Sequence, residues 1–177
     1  DGGAAAFREA ILEIKRLCPG TGVEVLTPDF GGREAPLRDV LDARPEVFNH
    51  NVETVRRLSS TIRSAATYDR SMSVLRAAVR LGEGIPVKSG MMLGLGETEA
   101  EIRETLSELR DAGVSLLTLG QYLPPTKDHH PLVRYVPPEE FDAWKAHALE
   151  LGFRGVMSGP LVRSSYHALE LYEAAKS

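Results

Sequence analysis

Arg163-Ser164-Ser165-Tyr166-His167-Ala168 sets two adjacent hydroxyls between a guanidinium and an imidazole, a combination with no obvious packing purpose. A serine oxygen can cap a helix, attack an acyl group beside a base, or ligate a metal as a hard alkoxide. Hydrolysis is a poor fit. There is no G-x-S-x-G elbow, and Ser164, Ser165 and His167 are neighbours in sequence rather than gathered from separate strands. Capping and ligation both stay open, because a helix over residues 166–175 would start directly after Ser165.

Two further segments carry polar groups where an apolar run ends. In Phe48-Asn49-His50-Asn51-Val52-Glu53-Thr54, two amides and a carboxylate can bond vicinal hydroxyls, since Asn both donates and accepts while Glu accepts. Asn51 could instead cap a helix, with Glu53 favourable in its first turn. In Lys88-Ser89-Gly90-Met91-Met92-Leu93-Gly94-Leu95-Gly96-Glu97, the glycines let backbone approach a ligand, and Met92 and Leu93 offer apolar contact. The same run could bind phosphate or simply turn. Lys88, inside an apolar strand, could pair with Glu53 or with a ligand carboxylate, or snorkel at an edge. Gln121-Tyr122-Leu123 and Asp29-Phe30 end strands in the same way. His129-His130 lacks a third nearby ligand and reads as a solvated pair.

These segments need a scaffold, and the hydrophobic periodicity supplies one. Helical spacing alternates with short β-branched or leucine-rich runs, the pattern of βα units on a parallel sheet. Helices are expected over 4–17, 36–41, 53–63 and 68–81, with strands over 23–26, 46–49 and 86–93. Thr98-x-x-Glu101 forms a capping box opening a helix on Ile102, Leu106 and Leu109, which Gly113 ends. A strand over 114–119, an irregular stretch 121–136, a helix from Pro137-Pro138 to Gly152 and a strand over 153–158 follow. The fold class is α/β. A partial (β/α) barrel over 1–152, with a C-terminal extension over 153–177 carrying the serine pair, is expected; a doubly wound sheet is the alternative.

The 177 residues suit one domain, with 42% hydrophobic and 26% charged residues. A net charge of −4 gives no general attraction to nucleic acid, and no apolar run approaches the roughly 20 residues that span a bilayer. A cytoplasmic location is expected, with neither nucleic acid nor membrane as partner. One cysteine, Cys18, excludes an internal disulfide and any all-cysteine metal site within the chain. It reads as a buried, inert thiol at the end of the first helix. The opening Asp1-Gly2-Gly3-Ala4, without an initiating methionine, reads as a loop-to-helix junction inside a longer protein.

Taken together, the three segments resemble lipoyl synthase, a family of radical S-adenosylmethionine (SAM) enzymes, and the resemblance spans the whole chain in order and spacing. It implies a radical SAM barrel and insertion of two sulfur atoms at C6 and C8 of a protein-bound octanoyl group. It also implies SAM and two [4Fe-4S] clusters, one of them auxiliary and consumed as the sulfur source. Gly90-x-x-x-Gly94-x-x-Glu97 is similar to that superfamily's adenine-contacting motif, with Met92 where isoleucine is usual. Asn49, Asn51 and Glu53, with Lys88, match positions that hold the ribose and methionine moieties, and Gln121-Tyr122 the segment beside adenine. Ser165 matches the serine that ligates the auxiliary cluster, and Arg163 would stabilise that cluster's charge. The implied partners are octanoylated lipoyl carrier domains or H protein, and an electron donor such as ferredoxin or flavodoxin. The family's two groups of cluster-binding cysteines have no counterpart here. A non-catalytic half-barrel that binds SAM or a carrier, and a phosphate-binding TIM-barrel lyase or isomerase, are the other readings.

Overall fold

The computed structural model describes residues 1–63 and 65–176. Five strands, β1 (Glu24–Leu26), β2 (Val47–Asn49), β3 (Val87–Leu93), β4 (Leu116–Gln121) and β5 (Gly155–Gly159), form one parallel sheet in the order β1-β2-β3-β4-β5. Each strand lies beside the one before it, and the order never reverses. A doubly wound sheet reverses at a switch point, whereas a barrel adds strands in one direction. Among the described residues the sheet does not close, so the architecture is a partial barrel.

The helices are α1 (Ala4–Leu17), α2 (Glu34–Asp42), α3 (Arg56–Ile62), α4 (Tyr68–Leu81), α5 (Glu99–Asp111), α6 (Pro138–Glu150) and α7 (Ala168–Lys176), with a 3-10 turn over Phe30–Gly32. At α5 the Thr98 hydroxyl accepts from the Glu101 amide at 3.3 Å and the Glu101 carboxylate accepts from the Thr98 amide at 2.8 Å, the expected capping box. Side-chain alternation splits the sheet into two faces. Phe48, Val87, Met91, Leu93, Leu117 and Leu119 join Leu75, Ile102, Leu106 and Phe141 in the main core under the helices. On the other face, Val47 and Leu116 pack with Leu171 and Ala175 of α7. That helix covers the lower part of the concave face and leaves its upper part, at the strands' C-terminal ends, open. The expected division at 152/153 falls just before β5, which is hydrogen-bonded to β4 in the same sheet.

Several expectations are corrected. Cys18 is exposed, because it follows the last turn of α1 and points away from the sheet packing. The helix expected from residue 53 begins at Arg56, and Glu53 instead takes a left-handed φ of 66° in a bridge to Met91. The last helix starts at Ala168, three residues beyond Ser165, so this serine does not cap it.

Candidate functional site at the open end of the sheet

A cleft of about 270 Å³ lies at the C-terminal ends of the strands, where ligands gather in parallel α/β folds. Asn51, Glu53, Gly90, Met92, Thr118, Gly120, Gln121, Arg163 and Ser164 line it. Residues from β2's exit, β3, β4 and the segment after β5 therefore converge on one space. Gly90 faces it from β3, and a Cβ there would collide with the Thr118 hydroxyl and sit 3.0 Å from Asn51 Oδ1.

The turn after β2 is held by backbone and left short of partners at its side chains. The Glu53 amide donates to the Gly90 carbonyl at 3.1 Å and its carbonyl accepts from the Met92 amide at 2.8 Å. These bonds fix the unusual φ and aim the carboxyl toward the cleft. Burial pushes the Glu53 carboxyl above the ordinary carboxylate range, while the Asn51 amide and the Arg63 charge act in the opposite sense. Asn51 Nδ2 donates to Ser164 Oγ at 2.8 Å, whereas its Oδ1 is buried without a partner. His50 is fully engaged: its Nδ1 lies 2.9 Å from the Thr27 carbonyl and its Nε2 2.9 Å from Ser71 Oγ, which accepts from Arg63. That pattern makes His50 a neutral Nδ1–H donor, and burial depresses its pKa below 6.5.

The glycine-rich turn after β3 is different. The Glu97 carboxylate accepts from the amides of Gly94 at 2.7 Å and Leu95 at 2.9 Å. Gln121 donates to the carbonyls of Leu93, Tyr122 and Arg134 and accepts from the Val136 amide at 2.8 Å. The amides of Gly94 and Leu95 are thus unavailable to a phosphate. Gly94, Glu97 and Tyr122 do not line the cleft, and the Tyr122 hydroxyl donates to the His130 carbonyl at 2.8 Å.

Lys88 and Asn49 also lie outside the cleft lining. The pairing of Lys88 with Glu53 is corrected: this fully buried ammonium donates to Glu24 Oε1 at 2.8 Å and to the Ser164 carbonyl. Asn49 donates to the same Glu24 carboxylate at 3.1 Å, and its Oδ1 has no partner. Ser165 itself is exposed beside the cleft. Asp29 accepts from the Gly31 amide at 2.9 Å and pairs with Arg70 at 3.2 Å, a turn role. Sequence reasoning missed Glu24, Thr118 and Gly120. Glycine inside a buried strand marks close backbone approach, a signal available at Gly120.

The sequence pattern of the Radical SAM superfamily matches residues 2–109, and the chain belongs to that superfamily. Within it, the chain is similar to lipoyl synthases. It is 54% identical to the lipoyl synthase of Rubrobacter xylanophilus over 99% of this chain and 55% of that protein. It is 52% identical to that of Caldicellulosiruptor saccharolyticus over 96% and 60%, and 55% identical to that of Acidothermus cellulolyticus over 99% and 54%. The chain thus spans a little over half the length of the curated relatives it matches. The crystal structure of methylornithine synthase (PylB) superposes with a TM-score of 0.60 at 17% identity, covering 90% of this chain and 54% of that one, and shares the fold.

The superfamily implies SAM and an iron–sulfur cluster, and the residues fit the two unequally. The orphaned Asn51 Oδ1, the buried Glu53 carboxyl and the glycine floor at Gly90 suit a polar organic ligand lying on β3. A cluster does not fit the ligands on hand. Among the described residues no group of three or more His, Cys, Asp or Glu could hold a metal ion, and Cys18 sits before β1, at the opposite end of the sheet.

Proposed function

We propose that the protein is a lipoyl synthase, inserting two sulfur atoms at C6 and C8 of an octanoyl group carried on a lipoyl carrier domain or H protein. The observation that carries this reading is the convergence of Arg163 and Ser164, beside Ser165, on the same cleft as Asn51, Glu53, Gly90 and Met92. When bound, SAM and two [4Fe-4S] clusters supply radical hydrogen abstraction and the sulfur; the reductant is an electron donor such as ferredoxin or flavodoxin.

This chain's share is to bind and orient. Asn51 and Glu53 hold the hydroxyls of the SAM ribose, and Asn51 Oδ1 gains there the donor it lacks in the free fold. Gly90 and Met92 form the floor against which the cofactor lies. Ser165, exposed and free of capping duty, would offer one oxygen ligand to an auxiliary cluster whose other ligands the described residues do not supply, and Arg163 would offset negative charge at the rim. Gln121 forms part of the wall, and Gly94, Glu97, Tyr122 and Lys88 shape it from behind. No helix among the described residues is long and apolar enough to cross a membrane.

The test uses the full-length protein with reconstituted clusters and an octanoylated carrier domain. The carrier's mass should rise by two sulfur atoms less two hydrogens, and Ser165→Ala should abolish that gain while 5'-deoxyadenosine still forms. Unchanged lipoyl product from Ser165→Ala would remove the serine from the reaction.

A further inference from the structure

Lys88, Asn51 and Gly120 meet on one short stretch of chain, residues 162–164. The Lys88 ammonium, fully buried and paired with Glu24, donates to the Ser164 carbonyl at 2.5 Å. Asn51 Nδ2 reaches the hydroxyl of the same serine at 2.8 Å. On β4, Gly120 lies against the Val162 carbonyl so closely that a Cβ there would sit 2.4 Å from its oxygen, with the Arg163 guanidinium 3.6 Å away. Strands β3 and β4 and the turn after β2 thus hold Val162 and Ser164 against the sheet. The segment has no regular structure of its own to hold it: α7 begins only at Ala168, and Tyr166 is tied back by a single turn bond to Arg163.

Burying an ammonium and a carboxylate is expensive unless each is well bonded, and such pairs are poor devices for stability alone. Their established use is to fix one geometry among several. We propose that the Glu24–Lys88 pair, with Asn51 and Gly120, is a seat that docks residues 162–164 on the sheet and so positions Ser165 at the mouth of the cleft. Lys88 is a positioning residue, acting through the Ser164 backbone. The inference rests on the proposed role of Ser165 only for its purpose; the seat itself is a property of the fold.

Two variants attack the seat from different sides. Glu24→Gln combined with Lys88→Met removes the buried pair without stranding either charge. Gly120→Ala leaves the pair intact and places a methyl under Val162. Amide exchange at Val162 and Tyr166 is read in the chain by NMR, with the amides of α5 reporting global stability. In the parent both should exchange at least tenfold more slowly than the exposed loop amides of Thr126 and Lys127. In each variant they should accelerate at least tenfold while α5 stays protected.

Retained protection at Val162 and Tyr166 in both variants would overturn the seat. If both variants lose α5 protection as well, the parent decides, and exchange there as fast as at Thr126 overturns it. In the reconstituted full-length protein, lipoyl product formed per 5'-deoxyadenosine should fall at least tenfold in Gly120→Ala. Absence of lipoyl product from the parent would instead defeat the lipoyl synthase reading and leave the exchange result standing.

Discussion

The turns that follow β2 and β3 occupy equivalent places in the fold and handle their polar groups in opposite ways. After β3, the Glu97 carboxylate and the Gln121 amide bond the buried backbone around Gly94 and Leu95, and the turn is complete without a ligand. After β2, Asn51 leaves a buried oxygen unpaired, and Glu53 carries a desolvated carboxyl at a left-handed φ. Buried polar atoms are almost always bonded in a finished structure, so the turn after β2 is where the proposed cofactor would supply the missing bond. A glycine-rich motif alone does not mark a binding surface; unmet hydrogen-bonding capacity beside a cleft does.

The contrast breaks most sharply at Glu97. Glu97→Ala leaves the amides of Gly94 and Leu95 buried without an acceptor, each at about 1–3 kcal/mol, so urea denaturation should show a loss of roughly 4 kcal/mol. A loss below about 1 kcal/mol would mean that the closed turn is not closed. Glu53 should respond in the other direction. Its folded pKa is raised by burial, so the fold disfavours the charged form, and that cost appears as pH rises through the folded value. Glu53→Gln should therefore raise the melting temperature at pH 7 by about 2–4 °C, the equivalent of about 1 kcal/mol in a domain this size. The gain should fade once pH falls below the ordinary carboxylate range, where both forms are neutral; a destabilised Gln variant at pH 7 would contradict the assignment of Glu53 to the open turn.

Much of this scaffold was legible in the sequence because local signals and tertiary packing agree there. The Thr98–Glu101 capping box, the stripe Ile102, Leu106 and Leu109, and the helix 68–81 all satisfy propensity and burial together. The converging segments were legible too, since strand ends are where a parallel sheet gathers them. What stayed hidden depended on contacts far apart in sequence. Nothing near Lys88 announces that its partner is Glu24, 64 residues away, or that its third contact is the Ser164 carbonyl. Cys18 misled because helical phase predicts burial only while the helix continues, and α1 stops one residue earlier. Likewise Asn51 and Ser165 have the composition of caps, yet the helices that follow them begin at Arg56 and Ala168.

The central claim is that the turn after β2, rather than the one after β3, holds the cofactor, and SAM binding measures it directly. Isothermal calorimetry on the full-length protein with reconstituted clusters, as parent, Asn51→Ala and Glu53→Ala, should show each variant binding SAM about 1–3 kcal/mol more weakly, roughly 5- to 150-fold. Asn51→Ala should do so with its own stability within about 1 kcal/mol of the parent, because the substitution removes one bond to Ser164 and one orphaned oxygen together. Unchanged SAM affinity in both variants would contradict the account.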